Sequence, residues 1–208
     1  LATFQKCPNH CVSKDFRYFL YIMLAVVFLF RNLNFNGSSS QTTSLGVVEN
    51  LEIENSIGVT LLGNSEVSSS LTLTEGDIDL NSYDLVLTSD LNTSALVVAG
   101  NGDIIGDITI EQFVPEAGNG HHYLSTPMKN SLMSELNDDF GLNLNNSFPS
   151  VYYYDEPTSS WLTPSNLTDT MELGKGYTGY FSADKIVDIK GEVNSGTTPI
   201  NLTNDNSG

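Results

Sequence analysis

The sequence predicts an all-β chain: a short β-solenoid (parallel β-helix-like) followed by a β-rich, sandwich-like cap domain. Three observations lead there. Between Leu45 and Val114, short apolar alternations recur between Gly, Asn, Asp and Ser: Leu51-Glu52-Ile53, Val59-Thr60-Leu61, Leu71-Thr72-Leu73 and Leu85-Val86-Leu87. Successive side chains of a strand face opposite ways, so each triplet sends two aliphatics to one side and one residue to the other. The spacers are too short and too polar for crossover helices, which leaves turns between strands. Finally, the stretch echoes itself: Leu51-Glu52-Ile53 matches Leu71-Thr72-Leu73 at an offset of 20, and the segment 55–61 matches 81–87 at an offset of 26. Irregular coils of this size suit a solenoid, in which each coil packs only on its neighbours. A sandwich of hairpins is the rival, but between these strands only Asn101-Gly102 offers a two-residue hairpin turn of the Asn-Gly kind.

Taken in order, residues 1–40 read as a leader and polar linker. The run Phe19 to Phe30 holds 12 apolar residues, with Lys14 and Arg17 before it and Arg31 after it. A membrane span needs about 20 apolar residues, so the run is closer to a signal-peptide core, and no stable span is expected in the mature chain. Cys7 and Cys11 both precede it. With His10 they fall short of the four ligands of a structural zinc. Without them disulfides cannot stabilise the remainder, and stacked aliphatics must. The solenoid is expected over residues 45–114.

The cap is expected over residues 115–208. Its texture differs, with aromatics gathered at Tyr152, Tyr153, Tyr154, Trp161, Tyr177, Tyr180 and Phe181. The segment 131–140 places Leu132, Met133, Leu136 and Phe140 at helical spacing behind Ser131 as an N-cap, predicting one short helix. Segments 152–155, 176–181 and 186–189 read as strands, with a last one at 199–203.

Charge narrows the function classes. After Arg31 the chain carries four Lys, no Arg and 24 acids, a net charge of −20. Such a surface repels phosphate backbones and anionic lipid, which argues against nucleic-acid binding and peripheral membrane attachment. It suits a solvated extracellular protein or one that collects divalent cations. Asp77, Asp79, Asp103 and Asp107 are the candidate Ca²⁺ ligands, because Ca²⁺ takes 6–8 hard oxygens, although no EF-hand loop is present. Outward alternation of acids on strands accounts for the same residues without a metal.

Among candidate chemistries, adjacent His121 and His122 face opposite sides of any strand and cannot easily share a metal. Ser125 has a His nearby but no Gly-x-Ser-x-Gly elbow. Tyr152, Tyr154, Trp161, Tyr177 and Tyr180 are the candidate ligand-binding residues, an aromatic platform for a sugar ring. Alternation puts Tyr152 and Tyr154 on one face and Tyr153 on the other, and one face must serve the core.

The succession NLEIENSIGVTLLG, SLTLTEGDIDLNSYDLVLTS, GDIIGDITIEQFVP, HHYLSTP, SVYYYDEPTSSW and ELGKGYTGYF resembles large secreted surface proteins of Bacteroidota. Those typically end in a type IX secretion C-terminal sorting domain. The resemblance covers about residues 45–203 and implies a solenoid-like segment, a β-rich module and export to the cell surface. In relatives a Gly-Trp-Asn-Leu-x-Gly-Asn-Pro-like segment tends to follow, so the resemblance also implies truncation at Gly208. The expected function is a non-enzymatic, secreted or cell-surface structural or adhesion module of a larger protein. A carbohydrate-binding module is the alternative, with surface polysaccharide or another surface protein as partner. A polysaccharide-degrading β-helix enzyme ranks third, and no cofactor beyond Ca²⁺ is expected.

Overall fold

The computed structural model describes residues 32–116, 120–145, 147–194 and 199. The apolar run 19–30, the Cys7, His10 and Cys11 group and, apart from Pro199, the tail strand expected over 199–203 lie outside the described residues. No helix among the described residues is long and apolar enough to cross a membrane.

A parallel β-solenoid of about four turns forms the first part. One wall stacks β1 (Asn32–Phe35), β3 (Gly46–Glu54), β5 (Ser65–Glu75), β7 (Leu85–Leu87) and β10 (Ile108–Val114), with β8 (Leu96–Val98) beside the second half of β5. A second wall stacks β2 (Gln41–Thr43), β4 (Val59–Leu61), β6 (Ile78–Asp79) and β9 (Ile104–Ile105). Among the described residues the solenoid's first strand is at Asn32–Phe35, inside the segment that the sequence reading gave to the leader and its linker.

Coil length explains the two echoes. Leu51 stands beside Leu71 and Ile53 beside Leu73, so the offset of 20 is a true coil repeat. The 26-residue match of segment 55–61 with 81–87 is not, because β4 and β7 lie in different walls and Val59 stands beside Ile78. An offset of 26 does recur where β5 meets β8, Leu71 beside Val97. There the coil makes an excursion, closed by the antiparallel Ser89–Ser94 bridge and by Asp90 Oδ1, which accepts the Asn92 and Thr93 N–H groups. Asn101-Gly102 makes no hairpin; it turns a coil corner between the two walls, where Gly102 presses on the Gly76 carbonyl.

Alternation builds the interior. Leu33, Leu51, Leu71 and Val97 occupy successive rungs of one column, with Phe35, Ile53 and Leu73 beside it. Leu51, Ile53, Leu61, Val67, Leu71, Ile78, Leu85 and Leu87 are all buried. Each such side chain contributes about 1.5–3 kcal/mol of apolar burial, offset against chain entropy. Outside, polar ladders follow the same registers: Asn50 Nδ2 donates to Asn32 Oδ1 at 2.7 Å, and Ser70 Oγ donates to Asn50 Oδ1 at 2.7 Å.

One corner is buried and polar. Asn55 is fully buried; its Nδ2 donates to the Ser39 carbonyl (2.7 Å) and Gln41 Oε1 (2.8 Å), and its Oδ1 accepts the Ile57 N–H (3.1 Å). Gly76 follows at φ +84°, where a Cβ would lie 1.9 Å from the Asn55 carbonyl oxygen. Only glycine fits such a left-handed, crowded position.

The cap grows out of the solenoid rather than standing beside it. β16 (Lys185–Val193) pairs antiparallel with β10 from Ile108–Gly191 to Val114–Lys185, and β12 (Met128–Lys129) pairs with its far end. The core runs on without a break from Ile108, Val187 and Ile189 to Met128, Met133, Leu136, Val151, Tyr177 and Phe181. The remaining strands, β11 (His121–Leu124), β13 (Val151–Asp155), β14 (Ser160–Leu162) and β15 (Tyr177–Tyr180), form an antiparallel sheet in the order β11-β15-β13-β14.

The expected helix over 131–140 is shorter. A 3₁₀ turn, Met133–Leu136, leads into the single α-helical turn α1 (Asn137–Phe140). Ser131 caps neither; its Oγ lies 2.6 Å from buried Thr126 Oγ1, and Leu132 is partly exposed rather than in the core. Both short turns sit over the unpaired edge of β16. Glu135 Oε2 accepts the Lys190 N–H (3.2 Å) and Asp139 Oδ2 accepts the Asp188 N–H (3.1 Å).

Candidate functional site

The four-stranded sheet of the cap has one wet face, and register decides what stands on it. Directly opposed residues of neighbouring antiparallel strands share a face. Tyr154 opposes Trp161, Tyr152 opposes Thr178, Thr178 opposes Tyr123, and Tyr180 opposes His121. All of these therefore project outward. The inner set is Val151, Tyr153, Tyr177, Gly179, His122 and Leu124.

Exposure agrees with that division. Tyr123 is 81% exposed, Trp161 52%, Tyr154 48% and Tyr180 47%. The outer rings form two edge-to-face pairs, Tyr154 with Trp161 (5.5 Å between centroids) and Tyr180 with His121 (5.4 Å). Such contacts hold each ring in place while leaving the rest of the aromatic surface open. Tyr154 and Trp161 are set opposite each other by the turn between β13 and β14, where Asp155 Oδ2 accepts the Thr158 N–H at 3.2 Å and Ser159 adopts φ +50°.

Beyond Tyr180 and Tyr152 the face runs into a groove of about 760 Å³. His121, Asp139, Phe148, Tyr152, Tyr180 and Lys185 are among its lining residues. Phe148 is the most exposed ring of the set, at 83%. Burial raises the Asp139 carboxyl to about 7, against the pull of the Asp188 N–H it accepts, and the nearby Asp188 and Asp138 carboxylates push the same way as burial.

Of the five aromatic candidates, Tyr152, Tyr154, Trp161 and Tyr180 share this face, and Tyr177 does not. Tyr177 is buried against Tyr153 (6.2 Å between centroids), and its hydroxyl accepts the Glu172 N–H at 3.0 Å. Its inclusion in a binding platform is thus corrected: it is a core residue. Burial raises its phenol pKa, against the lowering effect of that hydrogen bond. The Gly174-Lys175-Gly176 turn before it has a packing role too, for Lys175 Nζ sits 3.9 Å from the centre of the Tyr153 ring and 2.8 Å from Glu172 Oε1. Tyr123 and Phe148 were not among the sequence candidates, and His121 was weighed there only as a metal ligand. Alternation in the tetrapeptide 121–124 puts Tyr123 and His121 together, but only the register to β15 places them beside the other rings.

The carboxylate candidates do not converge. Asp77 Oδ1 accepts the Asp103 N–H at 2.8 Å across adjacent coils, and Asp79 Oδ1 accepts the Asn81 N–H at 2.9 Å. Asp79 and Asp107 border a different groove, about 410 Å³, with Asp84 and Lys190. Lys190 Nζ lies 2.9 Å from Asp84 Oδ1, and that ion pair with Asp84 raises its pKa. Among the described residues no group of three or more His, Cys, Asp or Glu side chains is placed to hold a metal ion. The expectation that Asp77, Asp79, Asp103 and Asp107 hold Ca²⁺ is corrected accordingly: Asp77 and Asp79 each accept a backbone amide of a coil turn, Asp79 and Asp107 border the groove whose cation is Lys190, and Asp103 borders a separate one beside Lys129.

His121 and His122 do face opposite sides. His121 meets Tyr180 outside; His122 packs on Phe181 inside, with a buried Nε2 that has no hydrogen-bond partner among the described residues. Ser125 Oγ donates to the Lys175 carbonyl at 3.1 Å, so it is engaged structurally.

No protein-family model, no curated protein and no solved structure matches the chain.

Proposed function

We propose that the chain is a non-enzymatic structural and adhesive module of a larger secreted or cell-surface protein, in which the solenoid is a rigid acidic scaffold and the cap offers a binding face to carbohydrate. The observation that carries this reading is the outer face of the cap sheet. Four aromatic residues there are each about half exposed or more, on a sheet whose other face contributes Val151 and Tyr177 to the core. Contiguous exposed aromatic surface on a folded domain marks an interaction site more often than not. Rings of this kind stack on the apolar faces of sugars while Thr178 and the tyrosine hydroxyls supply hydrogen bonds.

A scaffold without a ligand of its own is the second reading, favoured by the unbroken core between solenoid and cap. Binding of the intact protein to a printed glycan array separates the two. Signal that is lost in Trp161→Ala and Tyr154→Ala, with folding retained, supports adhesion. Absence of signal on every glycan leaves the scaffold reading.

A further inference from the structure

Apart from Tyr123, which stands on β11 at the rung of Tyr152, the outward aromatic residues of the cap sheet line up as a track. Trp161 and Tyr154 lie together on β14 and β13, Tyr152 lies two residues along β13, and Tyr180 and His121 lie on β15 and β11 at the rung of Ser150, two residues further. The line thus crosses the sheet diagonally. Strand spacing and rise per residue put the two edge-to-face pairs at its ends about 16 Å apart. One pyranose ring cannot reach both pairs, and a chain of several linked rings can. At the Tyr180 end the track opens into the groove beside Phe148, so the path continues past the edge of the sheet.

Charge decides what kind of chain. The groove offers one ammonium, Lys185, and one carboxylate, Asp139. The chain after Arg31 has a net charge of −20 with no Arg, which repels a polyuronate or sulfated polymer. The same charge opposes a second copy of this chain as the occupant. Hydroxyl-bearing, uncharged sugar units satisfy both the rings and the field.

Resting on the carbohydrate reading above, we infer that the face binds an internal stretch of an extended, uncharged polysaccharide, laid from Trp161 to Tyr180, rather than a terminal sugar. The test is a titration of the full chain with a length series, mono- to hexasaccharide, of whichever neutral glycan gives signal on the array, alongside uronate oligomers of the same lengths. Affinity should climb with length until both ring pairs are covered and then level off. Trp161→Ala and Tyr180→Ala should each lower affinity for the hexasaccharide at least about tenfold, while leaving the weak disaccharide response altered in only one of them.

Equal affinity for monosaccharide and hexasaccharide, or loss in Trp161→Ala alone, overturns the track and leaves carbohydrate binding standing. Preference for uronates overturns the charge argument. No response to any glycan overturns the track and the carbohydrate reading together, as does a dimer in sedimentation that Trp161→Ala dissolves. Circular dichroism and melting of each variant show whether a loss reflects unfolding, and Trp161→Phe, which keeps a ring, should restore most of the affinity.

Discussion

Asp139 accepts the backbone N–H of Asp188 at 3.1 Å, so the α1 carboxylate replaces a missing strand partner at the edge of β16. Burial and the neighbouring carboxylates raise its pKa from 3.8 to about 7. A carboxyl with a raised folded-state pKa binds protons more tightly folded than unfolded. Its contribution is fully present below pH 3.8 and is lost as pH rises through about 7. Urea midpoints of the wild type minus those of Asp139→Asn should therefore fall across that window. The amide keeps an oxygen for the Asp188 N–H, so the variant should be as stable as the wild type in acid and more stable at pH 8.

Asn55→Leu should destabilise the solenoid by about 2–4 kcal/mol, because it strands the Ser39 carbonyl, Gln41 Oε1 and the Ile57 N–H around a buried site. Guanidinium unfolding followed by far-UV circular dichroism measures it.

Gly76→Ala tests the crowded corner. A methyl 1.9 Å from the Asn55 carbonyl oxygen, on a residue at φ +84°, cannot be relieved by a rotamer change. The loss should exceed the roughly 1 kcal/mol of an ordinary backbone penalty, and a fall in melting temperature reports it.

Lys190→Met removes the ion pair with Asp84, both partners being about half exposed. Exposed pairs contribute up to about 1 kcal/mol, so the midpoint should shift by less than that, and the shift should shrink in 0.5 M salt. A larger loss would mean that the stem of Lys190 packs as well as its charge.

Tyr177→Ala and Trp161→Ala separate core from face. The first empties a buried, hydrogen-bonded aromatic site and should cost about 3–5 kcal/mol by analogy with other large-to-small core changes. The second removes a half-exposed ring and should move the melting temperature little while abolishing glycan capture.

Much of the solenoid was legible because its signal is local. The inward residues of β3 and β5 alternate, and the Leu51–Leu71 offset equals the coil that the backbone makes. The 26-residue echo misled because similar triplets serve different walls, and triplet sequence carries no wall label. The union of β10 with β16 was hidden, since it joins residues 71 to 83 positions apart and rests on the edge of a sheet rather than on a repeat. In the cap, alternation alone placed Tyr152 with Tyr154 and split His121 from His122. It also forbids Tyr177 and Tyr180, three apart on one strand, from sharing a face. Which face is core depends on how the sheet docks over Val187 and Leu136, and no local pattern reports that.

The antiparallel seat of β16 on β10 has a further consequence. A stack of parallel coils offers its last rung as a template on which another extended chain can register, the geometry by which fibrils lengthen. Here that rung is taken by a strand running the other way, and the next amides out are held by Glu135 and Asp139. Elongation of this wall is blocked by the molecule's own strand and side chains, so crowding many copies on one surface would not turn them into a filament through this edge.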